Sequence, residues 1–250
     1  MRSILITIAV LLHSVCMSAE SVNVHDVADN VVVPDYSAPY AEYSSDDPSG
    51  EFDIERAAQF IDGVAVKWGE KHGCVTCHTN GYYLMLPPKI FKHRPAVAEV
   101  RTFAEGWIDS WDEIGLPRTE IVVAPAAFLT INNMQMDGKL RPATRKALGE
   151  AWKLQSEEGN WDDWLKCEWP PFEQDDHYGV TLLTIAMGMA PESYTNIEPA
   201  RTGVSRMLSY LQRHEPEEVH HRAMMLWVGK YYEDLVSADE RQRWTDELLG

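Results

Sequence analysis

The chain has 250 residues, of which 45% are hydrophobic and 24% are charged, as in an ordinary globular protein. Its formal net charge is -17 and no basic patch stands out, which argues against binding to nucleic acid through the phosphates. An acidic chain of this kind suits a soluble protein, or one that docks on a basic partner.

The first residues have the features of a secretory signal peptide, predicted over residues 1–19. Arg2 supplies a positive charge, an apolar run follows over residues 4–12, and Ser18 and Ala19 offer small residues for cleavage. The apolar run, about 9 residues long, is too short to span a bilayer. We therefore predict export to the periplasm or another extracytoplasmic space without a stable transmembrane anchor; a retained anchor is the alternative.

Residues 20–52 are predicted to be a flexible linker, because Pro, Gly, Ser and Asp dominate their second half. After them apolar residues recur at helical spacing to the end of the chain, and no segment reads as a strand. The pattern predicts a single helical domain over residues 53–250, built from antiparallel helical hairpins. The predicted helices cover residues 54–68, 79–86, 95–113, 124–136, 142–154, 175–189, 198–213, 217–235 and 238–249.

One run has a spacing that implies a specific chemistry, Cys74-Val75-Thr76-Cys77-His78. In a C-x-x-C-H motif the two thiols can each bond covalently to a vinyl group of one haem, and the histidine can ligate the iron as the proximal ligand. Predicted export agrees with haem c, because covalent attachment takes place in that compartment. The alternatives are a C-x-x-C disulfide, which lacks a surrounding βαβ pattern, and zinc, which lacks a second C-x-x-C.

The sequence leaves the second axial ligand of this haem open. A methionine thioether would raise the reduction potential relative to a second histidine. Met85 lies close to His78 along the chain, whereas Met134 and Met136 lie on a later predicted helix and can approach the distal face more easily. An empty distal position is also compatible with the sequence. The candidates with a suitable side chain are Met85, Met134, Met136, His72 and His93.

Three other patterns are interpreted structurally. The pair His220-His221 lacks the H-E-x-x-H spacing of a zinc protease and is interpreted as part of a solvated helix face. Cys167, the remaining cysteine of the predicted mature chain, is interpreted as a small buried residue. Residues 133–138 are interpreted as the end of a helix, because Thr144 stands where a calcium loop requires Glu.

Residues 155–161, Q-S-E-E-G-N-W, match the pattern Q-x-x-x-G-x-W. They resemble the QW repeat of squalene–hopene cyclases and related prenyltransferase-like proteins with an α/α-toroid fold. In such repeats the glutamine caps a helix end and the tryptophan stacks nearby, which stiffens the hairpin corner. Leu211-Gln212, 57 residues after Leu154-Gln155, is a candidate second copy, with chance similarity as the alternative.

The helix before C-x-x-C-H is similar to that of exported planctomycete-type proteins, which join a c-type haem motif to cyclase-like repeats. The resemblance covers roughly residues 54–235. It implies that the helical hairpins form an arc or partial α/α toroid that encloses or presents the haem.

The cyclase family also implies an acid within a D-x-D-D motif, and Glu173-Gln174-Asp175-Asp176 stands close to that pattern. By this resemblance Asp175 would donate the proton, kept neutral by burial and by neighbouring carboxylates such as Asp176. The alternative is that Asp175 caps the following helix and Asp176 interacts favourably with its dipole.

The sequence thus predicts an exported all-α protein with one covalent haem c, held by Cys74, Cys77 and His78. We expect it to work with a redox partner protein in electron transfer or redox-linked binding. A terpenoid-cyclase-like enzyme and a non-catalytic interaction module with a structural haem are the alternatives.

Overall fold

The computed structural model describes residues 53–75, 79–161 and 176–250. Within these ranges the chain forms twelve α-helices and one short 3-10 helix, with no strand, so the predicted all-α fold is confirmed. The predicted signal peptide and linker lie outside the described residues, as does Cys167. No helix in the described ranges combines the length and the apolar character needed to cross a membrane.

The helices differ in length from a single turn to five turns. A 3-10 helix at Glu233–Leu235 separates the last two of them. In chain order they are α1 (Ile54–His72), α2 (Asn80–Tyr83), α3 (Pro88–Phe91), α4 (Pro95–Asp109), α5 (Trp111–Ile114), α6 (Thr119–Met136), α7 (Pro142–Leu154), α8 (Asp176–Met189), α9 (Glu192–Thr195), α10 (Ala200–Arg213), α11 (Val219–Val228) and α12 (Ala238–Leu249).

Most predicted helices are present, but several bounds were wrong. The predicted helix 95–113 is divided at Ser110, whose hydroxyl donates to the carbonyl of Trp107 at 2.8 Å. Helix α6 begins before the predicted residue 124 and contains Pro125 in its interior. Residues 217–235 form α11 and the 3-10 helix instead of one long helix. The predicted helix end at residues 133–138 is confirmed, with Asp137 as the C-cap of α6.

Two single-turn helices were not predicted, α3 and α9. Each begins at a proline: Pro88 is the first residue of α3, and Pro191 is the N-cap of α9. Proline is favourable at the start of a helix because the missing N–H would have no acceptor there. The Pro87-Pro88 pair therefore stops one short helix and starts the next.

The longer helices pack in two rows. Helices α1, α4, α7 and α10 lie side by side in an outer row, and α2, α6, α8 and α11 lie side by side in a central row. Helices also pair across the rows, with α6 on α7 and α8 on α10, and α12 packs on α11. The central row forms the core, since residues 122–133 of α6 and 177–187 of α8 are all buried.

The end of α1 is well defined, which fixes where the C-x-x-C-H motif begins. Asp53 caps the start of the helix by accepting the N–H groups of Glu55 and Arg56. Gly73 ends it in the left-handed conformation, φ 65°, and donates its N–H to Gly69. Cys74 therefore follows directly from a helix end.

A buried ion pair joins the first helices. Asp62 of α1 is 1% exposed and accepts from Arg94 Nε at 2.5 Å and from the hydroxyl of Tyr83 at 2.5 Å. A carboxylate buried to this extent requires such partners, because its desolvation would otherwise cost several kcal/mol. The pair holds α2 and the start of α4 against α1.

Candidate functional site

The described part of the C-x-x-C-H motif consists of Cys74 and Val75, while the predicted haem ligands Cys77 and His78 lie outside the described residues. Asn80, the buried first residue of α2, donates from Nδ2 to the carbonyl of Cys74 at 3.0 Å. This bond joins the end of α1, where the motif begins, to the start of α2, which follows the motif.

Helix α2 connects this loop to the central row. The ring of Tyr82 lies 5.5 Å from that of Phe128 on α6. The Nδ2 of Asn132, one turn further along α6, donates to the carbonyl of the fully buried Leu84 at 3.1 Å. The residues after the motif are thus held at one edge of the core.

The hydroxyl of Tyr82 is also hydrogen bonded to the hydroxyl of Tyr178, in the first turn of α8. The two tyrosines are 96 residues apart along the chain. This contact joins α2, the first helix after the motif, to the start of α8.

Three histidines extend from this contact in a series of neighbouring rings. The ring centroid of His220 on α11 lies 6.5 Å from that of Tyr178 and 4.0 Å from that of His221. The ring of His221 lies 5.1 Å from that of His177 on α8, with the planes inclined by 32°. We define the histidine–tyrosine cluster by these contacts. It consists of Tyr82, His177, Tyr178, His220 and His221.

The cluster is largely shielded from solvent. His177 and His221 are 5% and 1% exposed, and Tyr178 is 1% exposed. His220 is partly exposed, yet its Nε2 atom is buried and therefore points into the protein. The interpretation of His220-His221 as a solvated helix face was wrong, because the helix turns His221 into the core.

The direction of two helices brings the histidines together. Helices α8 and α11 pack side by side with both first turns at the same end, since His177 meets His221. At the other end of α8, a Cβ on Gly188 would lie 2.5 Å from the side chain of Tyr231, which follows α11. The two helices therefore run parallel, and residues from their first turns face each other.

The five predicted distal ligands lie at different places in the fold, and two of them, His72 and Met85, are near the motif along the chain. The ring of His72, the exposed last residue of α1, stacks on Trp68 at 4.1 Å. Partial burial and the charge of Lys71 lower the pKa of His72. His93 is exposed and precedes Arg94, which pairs with Asp62. Asp62 lies about 15 Å from the end of α1 along the helix axis.

The predicted methionine ligands are all partly buried. Met85 follows α2 directly and packs against the core. Met134 and Met136 lie at the end of α6, and Met136 is about 12 Å along the helix axis from Phe128, the residue that meets Tyr82. Asn132, which donates to the carbonyl of Leu84, lies two residues before Met134, so the end of α6 also faces the segment that follows α2.

The Q-x-x-x-G-x-W segment forms a second organised region. Gln155, the C-cap of α7, donates from Nε2 to the carbonyls of Gly159 and Gly203, both at 3.1 Å. Trp161 is 1% exposed and donates from Nε1 to the carbonyl of Ala151 at 2.8 Å. Its ring lies 6.4 Å from that of Trp152. We call the region around Gln155, Gly159 and Trp161 the glutamine–tryptophan corner.

Close backbone packing makes this corner dependent on glycine. Gly159 has φ 102°, and a Cβ at this position would lie 2.2 Å from the carbonyl oxygen of Arg206 in α10. A Cβ on Gly203 would lie 2.4 Å from Trp152. The corner thus locks α7 to α10. The candidate second copy does not form such a corner, since Gln212 is exposed within α10.

Asp176 connects the corner to the histidine–tyrosine cluster. As the first residue of α8, it accepts at Oδ2 from Asn160 Nδ2 at 2.6 Å, and Asn160 is also bonded to Ser156. The next residue, His177, belongs to the cluster. Asp176 therefore positions the start of α8, as expected of an acidic residue in a first turn. The proposed proton donor Asp175 lies outside the described residues.

Within the described ranges no group of three or more His, Cys, Asp or Glu side chains is arranged to hold a metal. A c-type haem would require one or two axial ligands from the protein, because its macrocycle supplies four nitrogens. Of the motif residues that the structure describes, Cys74 is half-buried and Val75 packs against the core.

Sequence reasoning missed all five members of the cluster as site residues. The sequence did contain a signal for buried histidines. His177 and His220-His221 lie in the first turns of two predicted apolar helices, whose polar residues can face the core as well as the solvent. The contact between these turns depends on helix packing, which the sequence pattern does not specify. No protein-family model matches the chain, and neither a curated protein nor a solved structure matches it.

Proposed function

We propose that this chain is an exported c-type haem protein that transfers electrons, or couples a redox change to binding, on a two-row helical scaffold. Cys74 and Cys77 attach the haem and His78 is the proximal ligand. When bound, the haem supplies a one-electron couple whose potential depends on axial ligands, burial and hydrogen bonding. The observation that carries the proposal is the C-x-x-C-H motif at Cys74, Cys77 and His78.

The surroundings of the motif support a haem on physical grounds. Val75 and Tyr82 pack against the core, so an apolar macrocycle attached here would find apolar and aromatic neighbours. The bond from Asn80 to the carbonyl of Cys74 fixes the described start of the motif to α2. A haem held at this edge of the core would be close enough to the surface to exchange electrons with a partner.

The charge of the chain indicates what kind of partner to expect. With a net charge of -17, long-range attraction favours a redox partner that presents a basic surface. The association rate should then fall as the ionic strength rises, because salt screens charges separated by more than about 8–10 Å.

The test is to produce the full chain in a bacterial periplasm together with a haem-attachment system. We expect one haem per chain that survives acid–acetone extraction and has the pyridine haemochrome spectrum of a c-type haem. A variant with Cys74→Ala and Cys77→Ala should lack it, whereas Cys167→Ala should retain it. A wild-type chain that folds but carries no covalent haem would contradict the proposal.

A redox titration then separates electron transfer from a structural haem. For an electron carrier we expect reversible reduction within the range of known haem and iron–sulfur partners, roughly -400 to +400 mV. A haem that is attached but cannot be reduced in this range would support the structural role instead.

A further inference from the structure

We propose that a cleft between helices α11 and α12 binds a small zwitterion, a free amino acid, independently of any haem. The cleft lies between the loop before α11 and one face of α12, and its volume is about 310 Å³. Sites for small molecules measure about 300–1,000 Å³, so the ligand of this cleft has to be small. We define the α11–α12 cleft by six of its lining residues, Glu215, Arg222, Glu240, Arg243, Trp244 and Glu247.

Two of the charged lining residues are paired with each other and form a fixed wall of the cleft. Arg222 Nη1 donates to Glu247 Oε1 at 2.7 Å, and Arg222 Nη2 donates to the carbonyl of Glu217 at 2.6 Å. The pair joins the first turn of α11 to the last turn of α12, and its two charges largely cancel. The lining charges that remain for a ligand are those of Glu215, Glu240 and Arg243.

Two carboxylates supply acceptors for a cationic group. Glu240 is held by Ser237, whose hydroxyl and N–H donate to its Oε2 at 2.6 and 2.9 Å. These bonds lower the pKa of Glu240, which keeps its carboxylate ionised at neutral pH. Glu215, in the loop before α11, is exposed and forms no ion pair within the described residues. The two carboxylates can therefore accept from the ammonium group of a ligand.

Two donors line the same cleft. Trp244 is 4% exposed, and its indole N–H makes no hydrogen bond within the described residues. The guanidinium of Arg243 lies 6.0 Å from the centre of the Trp244 ring and forms no ion pair in the described part of the chain. A buried indole N–H usually has an acceptor, and a carboxylate is the acceptor that a guanidinium prefers. These donors thus indicate a ligand that brings a carboxylate.

The mixture of charges selects against ions of a single sign. An anion without an ammonium group would meet the three carboxylates of the lining, and a cation without a carboxylate would meet its two guanidinium groups. A molecule that carries both charges a few bonds apart can avoid both repulsions. The lining offers little apolar surface beyond the Trp244 ring, so the ammonium and carboxylate groups of an amino acid carry the recognition.

The experiment follows the indole N–H groups of the full-length protein by proton–nitrogen NMR while L-alanine is added. The chain has nine tryptophans, and the indole resonance that is absent from Trp244→Phe belongs to Trp244. L-alanine should shift this resonance in a saturable way. Propionate and ethylamine, which each keep one of the two charges of L-alanine, should bind at least about tenfold more weakly, since each loses a charged hydrogen bond.

Four variants complete the test, and circular dichroism checks that each of them folds. Arg243→Gln and Glu215→Gln should each weaken the binding of L-alanine by about tenfold. The matched controls are Lys139→Gln and Glu99→Gln, which remove the same charges at exposed positions outside the cleft and should leave the affinity unchanged.

Three results would overturn the proposal. The first is a Trp244 resonance that does not respond to L-alanine. The second is propionate or ethylamine binding as tightly as L-alanine, which would make the cleft a site for an ion of one sign. The third is an equal loss of affinity in the cleft variants and their matched controls.

Discussion

The glutamine–tryptophan corner and the histidine–tyrosine cluster meet at consecutive residues, Asp176 and His177, but they use polar side chains in different ways. In the corner, Gln155 and Trp161 donate to main-chain carbonyls, and Gly159 allows two backbones to touch. In the cluster, side-chain rings and hydroxyls contact one another across helices α2, α8 and α11.

This difference indicates different roles. A side chain that satisfies a backbone carbonyl in the interior stabilises the packing of the helices that it joins. Several imidazoles gathered in an interior are expensive to bury, and such groups are concentrated at functional sites. We therefore expect substitutions in the corner to cost more stability than substitutions in the cluster.

The largest effect is expected from Trp161→Ala. Removing a fully buried tryptophan should destabilise the protein by about 3–5 kcal/mol, because it leaves a cavity and an unpaired carbonyl at Ala151. Urea unfolding followed by circular dichroism measures this loss. Trp107→Ala, at a partly exposed tryptophan, should cost less. Equal losses for the two variants would show that the corner has no special role.

Gly159→Ala should have the next largest effect. Its φ of 102° and the approach of Arg206 within 2.2 Å of a Cβ predict a loss of about 1–3 kcal/mol. The matched control is Gly149→Ala in α7, where a Cβ meets nothing within 4 Å. That control should be neutral or stabilise by about 0.5–1 kcal/mol. The prediction fails if both substitutions change the unfolding midpoint in the same direction.

A smaller effect on stability is expected from His221→Leu in the cluster. Leucine keeps most of the buried volume and removes the polar ring, so the free energy of unfolding should change by less than about 1.5 kcal/mol. Urea unfolding measures the change. A loss as large as that of Trp161→Ala would make the cluster structural like the corner.

The smallest effect concerns pH and lies in α12, which packs on the helix that carries His220. Hydrogen bonds from the hydroxyl and N–H of Ser237 lower the pKa of Glu240 below its ordinary value of 4.5. As the pH falls, Glu240 is therefore protonated at a higher pH in the unfolded chain than in the folded protein. The stabilisation is present above pH 4.5 and is lost as the pH falls through the lowered pKa.

Comparing the wild type with Glu240→Gln in urea unfolding tests this. The variant should be less stable at neutral pH by a few tenths of a kcal/mol, and the two should converge in acid. A difference that grows as the pH falls would contradict the prediction.

The helices were largely predictable because their signals are local. Pro142 at the start of α7 and Gly73 at the end of α1 each act through their own backbone conformation. The errors also have local causes: Ser110 divides a continuous apolar pattern by bonding to Trp107, and Pro125 is tolerated inside α6. The spacing of apolar residues predicts neither the division at Ser110 nor the continuation of α6 through Pro125.

Of the candidate site residues, only those of the C-x-x-C-H motif were predicted from the sequence. Cys74, Cys77 and His78 follow from spacing alone, because the chemistry of a c-type haem motif is contained in five consecutive residues. The predictions for Cys77, His78 and Asp175 remain predictions. The histidine–tyrosine cluster was missed, since a histidine doublet such as His220-His221 has the same sequence pattern on a solvated helix as on a buried one.

By itself the sequence determined the helical periods, the caps and the haem motif, because each depends on residues within a few positions of one another. Only the tertiary structure decided which helices share a row and which first turns face each other. The bond between Tyr82 and Tyr178 joins residues 96 positions apart, and the parallel packing of α8 on α11 brings His177 to His221. Such contacts arise when whole apolar helix faces are buried. The sequence pattern shows which face of a helix is apolar, but it does not specify which other helix covers that face.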